Sequence, residues 1–288
     1  MDSCAAHRLR QQFGRFGVRA GIWIGLAGLA LGFACPCLAA CGAPAGEVRV
    51  ADVDERLDVE VTDGRLVRLG GLDAPEPARG DPETAKAARN FLAARLVGRD
   101  AEIDLLTSGT DRWGRVVADL SVPETPGGPA ESIASALLAA GYARVRPEFE
   151  TRNCAAARLA VEDGARRAAL GIWRDREYAV IPSSDLAALR RGDGQFVVIE
   201  GRVRRVGFGR SRLYLDLVPQ AGPTIVVARK LEPAFARAGH PIAALAGQTI
   251  RARGALDDRF GPRLEVSEPA MIEFLRRSDA PGVDKPRP

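Results

Sequence analysis

An α+β fold organised around small β-barrels is predicted for this chain by three observations. Apolar and polar residues alternate from Val48 to Leu72 and again across a later hairpin, the period-2 pattern of half-buried strands. Stretches with helical periodicity and clear end signals follow those strands. After residue 195 a second β-rich block begins, with its own helix inserted before its last strands.

In the first block the apolar positions are Val48, Val50, Leu57, Val59, Val61, Leu66, Leu69 and Leu72, with Val67 out of phase. Thr62-Asp63-Gly64 marks a turn between two strands. "GDPETAKAARNFLAARLVGRD" reads as a helix: Asp81 suits the N-cap and Pro82 the first helical position. Ala85, Ala88, Phe91, Leu92 and Leu96 line one face of it, and Gly98 ends it. "AEIDLLTSGTDRWGRVVADLSV" reads as another hairpin, with Ile103, Leu105, Val117 and Leu120 on its strands. Helical signals return at Glu131–Ala140, closed by Gly141, and at Asn153–Leu170, closed by Gly171. Cys154 opens that last helix as a small apolar residue. Arg158, Arg166 and Arg167 read as its solvated face, and Trp173 as a core residue just past its end.

The composition changes at "IPSSDLAALRRGDGQ", a linker by its polar and glycine content. Beyond it come "FVVIEGRVRRV", "RLYLDLV", "TIVVARK", a helical stretch near Glu232, "TIRARGAL" and "RLEVSEPAMIEFL". Three strands, a helix and two strands is the order expected of an OB-type barrel. Arg202, Arg204, Arg205, Arg210 and Arg212 cluster on its first hairpin with Phe208 and Tyr214. Such a patch suits a single-stranded nucleic acid, although the plainer reading is that alternating arginines face water on a small barrel. The tail "SDAPGVDKPRP" has the composition of a disordered segment.

The N-terminus has the layout of an export signal. Arg8, Arg10, Arg15 and Arg19 precede the uncharged run "AGIWIGLAGLALGFA", and small residues follow. A membrane anchor is the alternative, although Pro36 and Pro44 interrupt the run. "LAAC" resembles a bacterial lipobox, which makes Cys41 a candidate for lipidation and a membrane attachment through that lipid. Ordinary cleavage at a nearby small residue is the other option. Without residues 1–40 the net charge falls from +4 to +1, so the body has no strong overall attraction for a polyanion.

Composition excludes several chemistries. There are two histidines, and His7 lies in the signal segment, so only His240 is left to the body. A multi-histidine metal site is impossible, and a Ser-His-Asp triad would have to use His240. Four of the five cysteines fall within the first 41 residues, which argues against a disulfide framework or zinc knuckle in the body.

The most informative stretch is "RLVRLGGLDAPEP". A strand that ends at Leu69 meets Gly70-Gly71, which lets the chain turn at low steric cost. Asp73 and Glu76 then stand three apart across a proline turn, with Arg68 back along the strand. "DRWGRVV" supplies Arg115 on the next hairpin. Two arginines and two carboxylates on one barrel face suit a phosphodiester. Guanidinium forks grip phosphate oxygens, one carboxylate holds a hard cation, and another takes a proton from water.

Four segments, "VRLGGLDAPE", "DRWGRVVADL", "LLAAGYARV" and "ALGIW", resemble the thermonuclease, or staphylococcal-nuclease-like, family, in that family's order over roughly residues 47–175. The resemblance implies an OB-type five-stranded barrel with packed helices and Ca²⁺-dependent hydrolysis of DNA or RNA. It implies Glu76 as general base, Arg68 and Arg115 as the phosphate-holding arginines, and Asp73 as a calcium ligand, with Ala74 contributing its carbonyl. The family's second calcium aspartate has no clear counterpart in "VADVDERLDVEV". Asp54 is the best candidate by position and Asp58 the alternative. Trp113 is placed either to stack on a base or to pack on its own barrel; Arg204 and Tyr214 are the candidate nucleic-acid contacts of the second block.

The expected organisation is a signal segment over 1–40, a thermonuclease-like domain over 47–176, a linker over 177–194, an OB-like β-barrel over 195–275 and a tail over 276–288. The expected function is an exported, periplasmic or envelope Ca²⁺-dependent nuclease acting on DNA or RNA. The alternative is a catalytically degenerate nuclease fold kept as a module that binds nucleic acid or protein.

Overall fold

The computed structural model describes residues 41–275, apart from residue 126 and residues 219–221. The expected signal segment and the expected tail lie outside the described residues.

The N-terminal half is a closed barrel. Strand β1 (Ala43–Val53) pairs antiparallel with β2 (Val59–Val61), which pairs with β3 (Leu66–Leu69). A two-residue strand, β4 (Leu72–Asp73), follows, and then helix α1 (Pro82–Leu96). The long hairpin of β5 (Asp100–Thr110) and β6 (Val116–Pro123) continues the sheet on the other side of β1. Parallel pairing of β3 with β6 closes the barrel over five strands and sets Arg68 beside Val117. β7 (Ala130–Ser132), α2 (Ile133–Ala139), β8 (Arg144–Val145) and α3 (Ala155–Arg167) complete this half.

The residue types explain the elements. Asp81 Oδ1 accepts the Glu83 N–H at 3.0 Å and caps α1, as the sequence predicts. Ala88, Leu92 and Leu96 are fully buried against the barrel, and each leucine contributes about 1.5–3 kcal/mol by leaving water. Phe91 stays half-exposed, tilted against Tyr142 and covered by Arg95. In β3 the expected phase needs correction. Val67 and Leu69 face inward and Leu66 is 40% exposed, because the inward set must alternate across the pleat. That phase is what turns Arg68 outward, between two buried neighbours.

The C-terminal half begins with β9 (Ile181–Pro182) and α4 (Leu186–Arg191), which occupy the stretch expected to link the halves. β10 (Phe196–Arg202) bends at Val203-Arg204 and continues as β11 (Arg205–Phe208). β12 (Arg212–Asp216), β13 (Thr224–Ala228), α5 (Glu232–Arg237), β14 (Thr249–Asp257), β15 (Arg263–Val266) and β16 (Ile272–Leu275) follow. The sheet order is β11-β12-β13-β15-β14-β10-β9, with β13 and β15 parallel and β16 on β14. This second sheet curves into a half-barrel around its own core, which includes Val203, Leu213, Ile225, Phe235 and Leu264. His240 stacks on Phe274 at 3.7 Å and takes no part in the N-terminal site.

The two cores are joined by buried charge. Arg253 of β14, fully buried, reaches Glu162 of α3 at 2.9 Å and the Val145 carbonyl at 3.0 Å. Glu273 of β16 is its third partner, and the two carboxylates hold the guanidinium firmly protonated despite its burial. Arg79 donates to the carbonyls of Glu177 and Phe196 while lying over the Tyr178 ring.

Candidate functional site

The Gly70-Gly71 turn has a steric reason. A Cβ on Gly70 would come within 2.4 Å of the Leu106 side chain. One on Gly71, whose φ is +76°, would meet Thr151 at 2.7 Å and the Arg158 guanidinium at 2.9 Å. Arg158 is therefore not on a solvated face. It is buried, donating to the Gly70 carbonyl at 2.7 Å and to Asp119 at 2.9 Å, because the tight turn leaves a carbonyl that needs a donor. Arg167 is exposed as expected and pairs with Asp163; Arg166 pairs with the same carboxylate but is half-buried.

Barrel closure brings Arg68 and Arg115 together, as the sequence predicts, around one carboxylate. Asp111 Oδ2 lies 2.8 Å from Arg115 Nη2 and 3.8 Å from Arg68 Nε. Asp111 Oδ1 accepts the backbone N–H groups of Trp113 and Arg115, which shapes the hairpin turn. Arg115 Nη1 reaches both oxygens of Asp58, at 2.7 and 3.1 Å. Arg68 forms a fork with Glu148, Nη1 to Oε1 and Nη2 to Oε2, each at 3.3 Å. Two guanidiniums thus face three carboxylates.

These environments separate the carboxylates. Burial raises the pKa of Asp58, and Arg115 offsets this only in part. Partial burial pushes Asp111 the same way, but its bonds from Arg115 and Trp113 outweigh that and lower its pKa.

Asp73 departs from the expected metal role. It stands opposite Arg144 in the β4–β8 ladder, and its Oδ2 accepts from Arg144 Nε at 3.0 Å and Nη2 at 2.6 Å. Arg144 is completely buried and spends its other donors on the carbonyls of Tyr178 and Phe196. Burial pulls its pKa down and Asp73 opposes that shift. Asp54 is exposed, and its Oδ1 accepts the backbone N–H groups of Arg56 and Asp58 at 2.8 Å each. Asp58, the alternative ligand, is committed to Arg115. Among the described residues, no group of three or more His, Cys, Asp or Glu side chains converges to hold a metal ion. Of the expected calcium ligands, Asp73 is held by Arg144 and Asp58 by Arg115, while Asp54 accepts backbone N–H groups.

Glu76 is exposed; its backbone N–H donates to the Tyr178 hydroxyl at 2.9 Å, which fixes the proline turn. Ala74 packs against the barrel core. Trp113 is 62% exposed, with Arg112 and Arg115 over its ring at 3.9 and 4.9 Å. In the second half Arg204 is exposed, and the half-buried Tyr214 lies beside Gly207 and Gly209, where an added Cβ would meet it at 3.5 and 3.1 Å. Arg205 and Arg212 beside it are paired with Asp216 and Glu265.

Cys41 and Cys154 form a disulfide, with Cα atoms 5.2 Å apart. The body thus contains a cross-link that the cysteine count argued against. Cys154 is buried, as expected, but as half of a pair between the start of β1 and the N-cap of α3. The sequence reading also missed Arg144, Glu148 and the Glu162–Arg253 pair. Arg144 lies within the quoted segment "LLAAGYARV", where a lone charge at the end of an apolar run was the available signal.

A closed five-stranded barrel with packed helices, carrying two arginine forks at one end, defines a nuclease-type fold. Residues 66–175 match the family described as staphylococcal nuclease homologue, and that segment is a staphylococcal-nuclease-like domain. A search of curated proteins returned no match.

Proposed function

We propose that the nuclease-fold domain recognises the phosphodiester backbone of DNA or RNA at the Arg68–Arg115 pair, and does so as a binding module. The observation that carries this is the commitment of Asp73 to Arg144. A carboxylate whose oxygen is held by a buried guanidinium is a poor ligand for a divalent cation, since the cation would have to displace an optimally placed charge. The two arginines that the resemblance assigns to phosphate have 25% and 15% of their side chains accessible. Guanidinium forks suit phosphate oxygens. Trp113 offers an exposed ring next to Arg115, where stacking on a base is worth about 1–3 kcal/mol. The patch with Arg204 and Tyr214 would extend the contact along a strand of nucleic acid.

Calcium-dependent hydrolysis is the second reading, favoured by one feature: Glu76, to which the resemblance assigns the general base, is exposed. Its weakness is that the expected ligands Asp73 and Asp58 are each held by a guanidinium. Export is supported by the N-terminal layout and by the disulfide, which belongs to an oxidising compartment. A sulfur in that disulfide cannot also carry a lipid thioether, so the disulfide favours a periplasmic or secreted protein over one anchored by a lipid on Cys41.

The test combines anisotropy of labelled single- and double-stranded oligonucleotides with a cleavage assay, in calcium and in chelator, for wild type and Glu76→Gln. Binding that survives chelation, without cleavage, is the expected result. Cleavage that needs calcium and collapses in Glu76→Gln would replace the binding module with the enzyme.

A further inference from the structure

We infer that Glu148 is an internal phosphate mimic: its carboxylate occupies the anion cradle of Arg68 and Gly71, and nucleic acid binds only by displacing it. This rests on the phosphate-binding reading above and concerns the regulation of that same site.

Three donors converge on this carboxylate. Arg68 presents its two terminal nitrogens to the two oxygens, and the Gly71 N–H donates to Oε2 at 3.1 Å. A guanidinium fork plus a backbone N–H is the donor set that cradles a phosphate oxygen pair. The two Arg68–Glu148 bonds, at 3.3 Å, are longer than the 2.7–2.9 Å usual for charge-assisted pairs. The Glu148 side chain is also 22% accessible. A weakly held, partly exposed carboxylate is one that a doubly bonding phosphate can replace.

The backbone beneath it is firmly held, so displacement requires only side-chain rotation. The Glu148 N–H donates to Thr151 Oγ1, and the Thr151 N–H returns to the Glu148 carbonyl. Thr151 is buried, its carbonyl accepts the Cys154 backbone N–H at 3.1 Å, and Cys154 is cross-linked to Cys41. Rotation of Glu148 also corrects the local charge. With Glu148 in place, Arg68 and Arg115 face Glu148, Asp111 and Asp58, a net negative cluster that repels phosphate.

The experiment measures the affinity of a fluorescein-labelled single-stranded oligonucleotide for wild type, Glu148→Gln, Glu148→Ala, Arg68→Ala and Arg68→Ala/Glu148→Gln. Thermal melting confirms that each variant is folded. Both Glu148 variants should bind about tenfold tighter, the scale of one hydrogen bond to a charged group. That gain should vanish in the double variant, because it depends on freeing Arg68. If Arg68→Ala weakens binding while both Glu148 variants match wild type, the mimic is overturned and the phosphate site stands. If Arg68→Ala binds as wild type does, or a Glu148 gain persists without Arg68, the phosphate site itself is wrong and the mimic with it.

Discussion

The Arg144 guanidinium lies 2.6 Å from Asp73 Oδ2 with no route to water, and a backbone carbonyl at the start of the C-terminal sheet, that of Phe196, lies 2.7 Å from the same nitrogen. One arginine thus neutralises the aspartate that the family resemblance assigns to calcium and also ties the two halves together. Removing it should leave a buried, uncompensated carboxylate. Arg144→Met should lose about 3–5 kcal/mol of unfolding free energy. Urea denaturation measures it, and Arg144→Met/Asp73→Leu should recover much of the loss. A wild-type-like midpoint for the single variant would show that the pair is not held as described.

Calcium should leave the protein unchanged. Anything that binds the folded state raises the melting temperature by mass action. With Asp73 engaged, calcium in large excess should produce no shift beyond that of an equal ionic strength of sodium chloride. A calcium-specific rise would mean that Asp73 is released to the cation.

The disulfide predicts a covalent mass. Intact protein should be two hydrogens lighter before reduction than after, and Cys41 should appear in a peptide linked to Cys154. Cys154→Ser should cost about 2–5 kcal/mol, since the bond closes a long loop in the unfolded chain. A lipid mass on Cys41 would contradict both expectations.

Asp58 and Asp111, two partners of one arginine, should titrate in opposite directions. Folding raises the pKa of Asp58, so its favourable contribution is present below the ordinary value of 3.8 and is lost as pH rises through the folded value. Folding lowers the pKa of Asp111, so its contribution is present above that value and is lost as pH falls through the folded one. On acidification Asp58 should therefore protonate first. Carboxyl carbon NMR resolves the order, and Asp111 protonating first would refute the arrangement.

Trp113 should matter for binding and not for stability. It is exposed, so Trp113→Ala should change unfolding free energy by less than about 0.5 kcal/mol. The same change should weaken oligonucleotide binding by about 1–3 kcal/mol. Equal affinity would assign the ring to the hairpin alone.

The fold was largely legible because period-2 runs and caps are local signals. Asp81, Pro82 and Gly98 bounded α1 without any tertiary information. The phase of β3 was misjudged because Leu66-Val67 offers two apolar residues in a row, and only the closure of β3 on β6 selects Val67. Arg68 and Arg115 could be singled out because each lies near a glycine turn with a recognisable pattern. Arg144, Arg158 and Arg253 were not, because a buried arginine looks like a surface one in sequence. Its burial depends on Asp73, the Gly70 carbonyl or Glu162, from 71 to 91 residues away. Glu148 was missed for the same reason: nothing near it announces the partner 80 residues earlier.

The Phe196 carbonyl accepts from both Arg79 and Arg144 of the N-terminal half. Excision after residue 176 would strip those guanidiniums of an acceptor and strand Glu162 without Arg253. The halves are therefore not interchangeable cassettes. A hybrid that grafts this nuclease-like segment onto another tail inherits unsatisfied buried charge at its seam, and recombination can shuffle the pair only as a unit.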